Sequence, residues 1–326
     1  MFIGDKYKYI YTGVDLKLNR IKLSWHITDW CNYNCPYCIQ SVNHHYASQP
    51  KESQESVENI AKLLRAKFHN QNVSLSLYGG EISTYYDLNR ICDILFKDNN
   101  CNANVALVTN LSAPYEKYKS FLSLSNSTLR TSIIPSYQWN NIDVFLDKCK
   151  KIKIYLDKKL QVTCVVYDGH SIEQVKNTAQ KFKDAKIPLR FTFARIPRSN
   201  NQFYKLQDGV EDFIKDWNKN YFDKKNCKII YTDGTECEKQ CRSDVLKEVA
   251  EYEGLPGASF KGMTCMTGLS LRPKGDIRAG NCPDRRNIVL GNILKDDVPL
   301  KRYRAKCEAK GYCNLCNAPV VWNGRF

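Results

Sequence analysis

The stretch Trp30–Gln40 reads WCNYNCPYCIQ, and it sets Cys31, Cys35 and Cys38 at C-x3-C-x2-C spacing on one short piece of chain. Directly before it, IKLSWHIT (Ile21–Thr28) carries the residues of a strand. Three thiolates on a tight loop suit a cluster held at three corners. A structural zinc ion or a closed [4Fe–4S] cluster takes four ligands, and no fourth cysteine lies nearby. Such a loop leaves one metal position open to another molecule. The competing reading is a zinc loop that borrows His26, His44 or His45.

Outward from this loop the chain alternates short apolar runs with longer amphipathic ones. SVENIAKLLRAKF (Ser56–Phe68) has apolar residues at helical spacing, VSLSLYG (Val73–Gly79) reads as a strand, and a helix follows near Leu88–Phe96. NVALVTN (Asn104–Asn110), TLRTSIIP (Thr128–Pro135), LQVTCVVY (Leu160–Tyr167) and PLRFTFARI (Pro188–Ile196) read as further strands, with a helix over Ser171–Lys183. Strands alternating with helices call for parallel βαβ units with right-handed crossovers. The expected fold is α/β, a partial (β/α)6 barrel with its chemistry at the C-terminal ends of the strands. Beyond Pro197 the texture changes to polar segments and a helix near Val210–Tyr221, and eight cysteines fall in the last hundred residues. The domain plan is therefore a lead over 1–20, the barrel over 21–200, linker helices over 201–260 and a small cysteine-rich domain over 261–326.

The 326 residues are 43% hydrophobic and 25% charged, enough for a sizeable core and too apolar for a disordered polymer. No run approaches the ~18 apolar residues of a membrane span, and the N-terminus lacks the apolar stretch of an export signal. A cytoplasmic protein is expected. In that reducing compartment the 15 cysteines point to metal rather than to disulfides. The net charge of +15 fits an acidic partner, or simply a Lys-, Asn- and Tyr-rich composition.

Cys31-x3-Cys35-x-Tyr37-Cys38 resembles the signature of the radical S-adenosylmethionine (radical SAM) superfamily, and it lies where that family carries it, beyond the first barrel strand. A second feature follows the second strand: Tyr78-Gly79-Gly80-Glu81 resembles the segment that lies along the methionine moiety of SAM. Glycines there let backbone approach a ligand closely. Proline commonly follows this segment in relatives, whereas Ile82 stands here. Thr109-Asn110 resembles a segment lining the adenosyl site, and Ser132 and Ser136 lie where the ribose would be reached. The resemblance implies that Cys31, Cys35 and Cys38 hold a [4Fe–4S] cluster whose fourth iron is chelated by SAM. Reductive cleavage then yields a 5′-deoxyadenosyl radical that takes a hydrogen atom from a substrate carbon, the electron coming from a donor such as flavodoxin or ferredoxin.

Farther on, Cys265 and Cys282 bracket LRPKGDIRAGN (Leu271–Asn281), which reads as a hairpin turning at Lys274-Gly275. Cys313-Asn-Leu-Cys316 forms a C-x2-C knuckle. Two cysteines from each complete a four-thiolate site, for one auxiliary [4Fe–4S] cluster or for zinc, with Cys307 as an alternative ligand. The arrangement resembles the SPASM/twitch extension of radical SAM enzymes, in its shorter twitch form because no cysteine follows Cys316. Cys227, Cys237 and Cys241 are candidates for returning a hydrogen atom to the substrate radical, or are packing thiols like Cys92, Cys101, Cys149 and Cys164.

The substrate is expected to be a ribosomally made peptide, although the short lead leaves no room for a leader-binding domain. A nucleotide or nucleic acid, or another small molecule, is the alternative; for nucleic acid, RFTFARIPR (Arg190–Arg198), RPKGDIR and PDRRN offer basic stretches with aromatics. A protein stapled by metal with no enzymatic role is the third class, disfavoured by an open three-thiol loop beside a Gly-Gly-Glu segment.

Overall fold

The computed structural model describes residues 6–11, 20–38, 52–133, 141–156, 159–194, 196, 203–221, 227–239, 248, 251, 263–279, 288–301, 303–307 and 320–322. The chain divides into two compact units, one of residues 25–222 and 272–274, the other of 1–24, 223–271 and 275–326.

The first of these is built on parallel strands in chain order. After strand β1 (Tyr7–Tyr11) come β2 (Ile21–His26), helix α1 (Gln54–Phe68), β3 (Asn72–Tyr78), the short α2 (Ile82–Tyr85), α3 (Leu88–Phe96) and β4 (Asn102–Thr109). These lead to α4 (Lys119–Leu122), β5 (Ser127–Ile133), α5 (Ile142–Leu156), β6 (Leu160–Val166), α6 (Ile172–Asp184), β7 (Leu189–Phe193) and α7 (Val210–Tyr221). Strands β2 to β7 follow one another across the sheet, and β3 through β7 pair in parallel. β7 ends the sheet among the described strands. The α/β expectation holds.

Helix placement follows from local chemistry. Ser53 caps α1 by accepting from the Ser56 N–H at 3.1 Å, and Val57, Ile60, Ala61, Leu64 and Phe68 form its single buried stripe. Ser171 and Gln174 close a reciprocal capping box at the start of α6. On the strands, burial alternates with period two: Val73, Leu75 and Leu77, then Leu129 and Ile133, then Leu160, Val162, Cys164 and Val166 are buried. The alternate positions are polar and half-buried, among them Ser74, Ser76, Gln161, Thr163 and Ser132, which pairs with Thr163 across the ladder. The strands thus have an apolar face and a polar one, the pattern of a wall with packed helices outside and a wet interior.

The second unit is antiparallel. β1 pairs with β8 (Cys227–Tyr231) and β15 (Val320–Trp322), β8 with β9 (Glu236–Lys239), and β10 (Thr264–Thr267) with β14 (Tyr303–Lys306) and β15. The stretch 1–20, read from the sequence as a lead, therefore contributes a strand. The stretch 201–260, read as linker helices, holds α7 and then the β8–β9 hairpin, whose turn has Gly234 at φ +88°. The Lys274-Gly275 hairpin forms between β11 (Leu269–Leu271) and β12 (Asp276–Arg278), with Gly275 at φ +87°, and β13 (Val289–Asn292) continues it.

Candidate functional site

The three-thiol loop grows out of β2 and is stitched to the end of β3. Ile27 N–H donates to Tyr78 O at 2.9 Å, Gly80 N–H to Thr28 O at 2.8 Å and Glu81 N–H to Trp30 O at 2.7 Å. The ladder thus continues past both strand ends, so that Cys31 begins where backbone pairing stops. Cys35 is buried, Cys31 and Cys38 are half-buried, and Cys38 N–H turns back onto Cys35 O at 3.0 Å.

This stitching requires the two glycines. A Cβ at Gly80 would overlap the Trp30 carbonyl and come within 2.8 Å of Cys31 N; one at Gly79 would overlap Thr28 O and lie 3.1 Å from Thr28 N. Gly79 and Gly80 are fitted against the protein's own backbone beneath the thiols. Glu81, expected as a cofactor-binding residue, is fully buried, with both carboxylate oxygens engaged. Oε1 accepts from Ser83 Oγ at 2.6 Å and Thr109 Oγ1 at 2.8 Å, and Oε2 from Asn110 N–H at 2.6 Å. Tyr118, behind them, shares hydrogen bonds with Ser83 (3.0 Å) and Thr109 (3.2 Å). Burial pushes the Glu81 carboxyl above its ordinary range, against the lowering effect of these donors. Its side chain clasps the end of β3 to the end of β4. Asn110 completes the clasp: its Nδ2 donates to Asn32 Oδ1 at 3.0 Å and lies 4.0 Å from Cys31 Sγ.

The donor set fits a cationic group. Burial raises the Cys31 thiol to about 11 and Cys35 to about 12; repulsion by Glu81 and Cys38 adds to the first shift, and repulsion by Cys38 and Cys31 to the second. Three thiolates that repel one another in a desolvated loop are stabilised together only by positive charge, as an iron–sulfur cluster supplies. Among the described residues no three His, Cys, Asp or Glu side chains converge tightly enough to hold a single metal ion. His26 is occupied otherwise: Nδ1 accepts from Arg272 Nη1 at 2.7 Å, Nε2 lies 3.0 Å from Asp29 Oδ1, and the ring stacks on Tyr78. His44 and His45 lie outside the described residues. The Tyr37 ring packs 5.1 Å from Tyr167, and burial pushes its phenol well up.

The family profile described as the Radical SAM superfamily matches residues 25–197, more than half of the chain. The chain belongs to the radical SAM superfamily. As a radical SAM enzyme it is expected to use a [4Fe–4S] cluster and SAM, which the family implies. Solved structures share the fold. Hexahistidine-tagged anSMEcpe with bound AdoMet is 16% identical and aligns over 86% of this chain and 79% of that one at a TM-score of 0.52. Native anSMEcpe with bound AdoMet and Kp18Cys peptide is 18% identical over 86% and 80% at 0.54. Streptococcus suis SuiB bound to S-adenosylmethionine is 15% identical over 80% of this chain and 60% of its own at 0.46. No curated protein matches the chain.

The remaining predicted residues of this radical SAM enzyme fall in several places. Ser132 sits on the polar face of β5, and Ser136 lies outside the described residues. Of the auxiliary cysteines, Cys265 is on β10, opposite Ala305 of β14, while Cys282, Cys313 and Cys316 lie outside the described residues. Cys307 follows β14 directly, its N–H on Met263 O at 2.8 Å, so it stands two register positions from Cys265 on the facing strand. Cys227 and Cys237 are likewise two register positions apart, on β8 and β9; Cys241 lies outside the described residues. Sequence reading missed Ser83, Tyr118 and Asn32, and only their ordinary polarity marks them there. Among the described residues no helix is long and apolar enough to cross a membrane.

Proposed function

We propose that this enzyme abstracts a hydrogen atom from a ribosomally made peptide. When bound, the cluster and SAM would supply the reductive cleavage that starts the radical chemistry. The observation that carries the reading is the clasped loop: three thiols begin where the β2–β3 pairing ends, and Gly79, Gly80 and Glu81 fix the backbone beneath them. Cys31, Cys35 and Cys38 would hold three irons. Asn110 would keep the Cys31 side of the loop in place through Asn32, and Tyr37 would shield Cys35 from water. The polar strand face, with Ser132, Gln161 and Thr163, would line the space for SAM and substrate.

The peptide assignment is supported by fold likeness to anSMEcpe, solved with bound AdoMet and a Kp18Cys peptide. Cys265, Cys282, Cys313 and Cys316 would hold one auxiliary [4Fe–4S] cluster, with Cys307 a neighbour of Cys265 by register. Cys227, Cys237 and Cys241 remain proposed hydrogen-atom donors. The setting would be the cytoplasm, with an external one-electron donor.

The test is anaerobic. Iron-loaded protein given dithionite and SAM should release 5′-deoxyadenosine, and a candidate peptide should acquire a mass change in step with it. Fully loaded protein that releases none overturns the enzyme assignment. Release coupled to an oligonucleotide and not to peptides overturns the substrate assignment.

A further inference from the structure

Helix α5 has an outer face unlike a solvated one. Val144, Ile154 and Tyr155 are 59%, 80% and 58% exposed, three large apolar residues on one helix. Val144, Lys148, Lys151 and Tyr155 recur at helical spacing, so basic and apolar groups share a stripe. Beside it is a cavity of about 210 Å³ bordered by Leu111, Tyr115, Glu116, Lys148 and Lys151. Tyr115 borders it, and the Tyr155 ring, outside the lining, meets the Tyr115 ring at 5.6 Å to make an aromatic lip beside it. The acids on the helix are already matched, Asp143 by Lys181 at 2.7 Å and Asp147 by Lys150 at 3.2 Å. Lys117 and Lys119 are exposed in the segment that carries Tyr115 and outnumber its one acid, Glu116, so this segment is basic, like the chain at +15.

This face is wired to the thiol loop. Lys148 Nζ donates to Leu111 O at 2.9 Å and to Ser112 O at 3.2 Å. Ser112 Oγ accepts from Asn32 Nδ2 at 3.0 Å, and Asn32 adjoins Cys31. Three linked side chains therefore separate the exposed stripe from a thiol expected to bind iron. α5 packs against β5 and β6.

Resting on the radical SAM reading, we propose that the Tyr115–Tyr155 lip and the basic–apolar stripe of α5 dock the acidic protein that delivers the reducing electron. The carrier's reduced flavin loses one electron, the iron site gains it, and no atoms change hands. Such redox encounters are small and transient, and opposite charge steers them. An acidic carrier with an apolar rim complements lysines interleaved with Val144, Ile154 and Tyr155.

The experiment compares wild type with Lys151→Glu/Tyr155→Ser, and separately with Ile154→Ser, using reduced flavodoxin or dithionite as the electron source and SAM cleavage as the readout. Flavodoxin-driven cleavage should fall about tenfold in the double variant at low salt, with a raised KM for flavodoxin, while the dithionite rate stays unchanged. Flavodoxin binding, followed by flavin fluorescence without SAM, should weaken in parallel and lose part of its salt dependence. Unchanged flavodoxin binding and cleavage in both variants, or equal loss with both reductants, overturns the proposal. Wild type silent under dithionite refutes the radical SAM chemistry instead, and the binding series still decides the docking face. A wild-type dimer that the double variant dissolves assigns the face to a second copy and likewise overturns it.

Discussion

Replacing Gly80 by alanine tests the clasp beneath the thiols. The added Cβ would overlap the Trp30 carbonyl, a backbone group that cannot rotate away, so the loop must move off β3. That movement breaks the bonds Gly80 N–H to Thr28 O (2.8 Å) and Glu81 N–H to Trp30 O (2.7 Å). Each broken bond leaves buried groups unsatisfied at about 1–3 kcal/mol, so the pair costs about 2–6 kcal/mol. Against a typical domain stability of about 5–15 kcal/mol, the variant should still fold but melt roughly 4–24 °C lower. Gly169→Ala is the control. Nothing lies within 4 Å of a Cβ there, and only the φ of +86° opposes alanine, at about 1–2 kcal/mol. Thermal unfolding with iron analysis reads both effects: Gly80→Ala should lose stability and bound iron together, whereas Gly169→Ala should lose a little stability and no iron. A Gly80→Ala protein that melts with wild type and binds the same iron refutes the reasoning.

Other outcomes follow from the same contacts. Glu81 holds its proton to higher pH when folded than when unfolded, near about 4.3, so stability should decline as pH rises from there through the folded pKa. Glu81→Gln should abolish that slope in urea unfolding and cost about 1–3 kcal/mol at neutral pH, since its amide nitrogen meets donors. Cys31 and Cys35 stay protonated to about 11 and about 12, whereas unfolded thiols ionise near about 8.5. The metal-free protein should therefore lose stability as pH rises above about 8.5, and the loss should diminish in Cys31→Ser and Cys35→Ser proteins. Reconstituted wild type should hold about eight irons per chain, and about four should remain in Cys31→Ala or in Cys265→Ala, measured by iron and sulfide analysis. About four irons with one zinc in wild type would assign the auxiliary site to zinc.

The parallel strands were legible because each carries its own signal. LQVTCVVY shows the apolar alternation that β6 buries, and the strand and helix limits inferred from such runs fall within a few residues of those observed. β1 was not legible as part of a sheet. YKYIY has strand chemistry, but its partners stand near residues 230 and 321, and nothing local in a sequence announces pairing at that distance. The β8–β9 hairpin was missed for another reason: CKIIY and ECEK are short, and the Asp233-Gly234 turn signal between them lacks long alternating flanks.

At the site, the sequence marks residue types but not what they touch. Gly79, Gly80 and Glu81 read as a segment laid along a ligand, because glycine permits close approach without saying to what. In the fold the approach is to Thr28, Trp30 and Cys31 of the same chain, and the Glu81 carboxylate is spent on Ser83, Thr109 and Asn110. The two descriptions are compatible only if backbone, not the glutamate side chain, meets the ligand. A carboxylate with both oxygens bonded inside the protein has little left to offer outside it, yet it fixes the strand ends from which the loop and Asn110 project. Preorganisation of that kind lets a three-thiol loop keep its shape while one metal position stays open. Without it, the three thiols would lose the spacing the metal group needs whenever that group left.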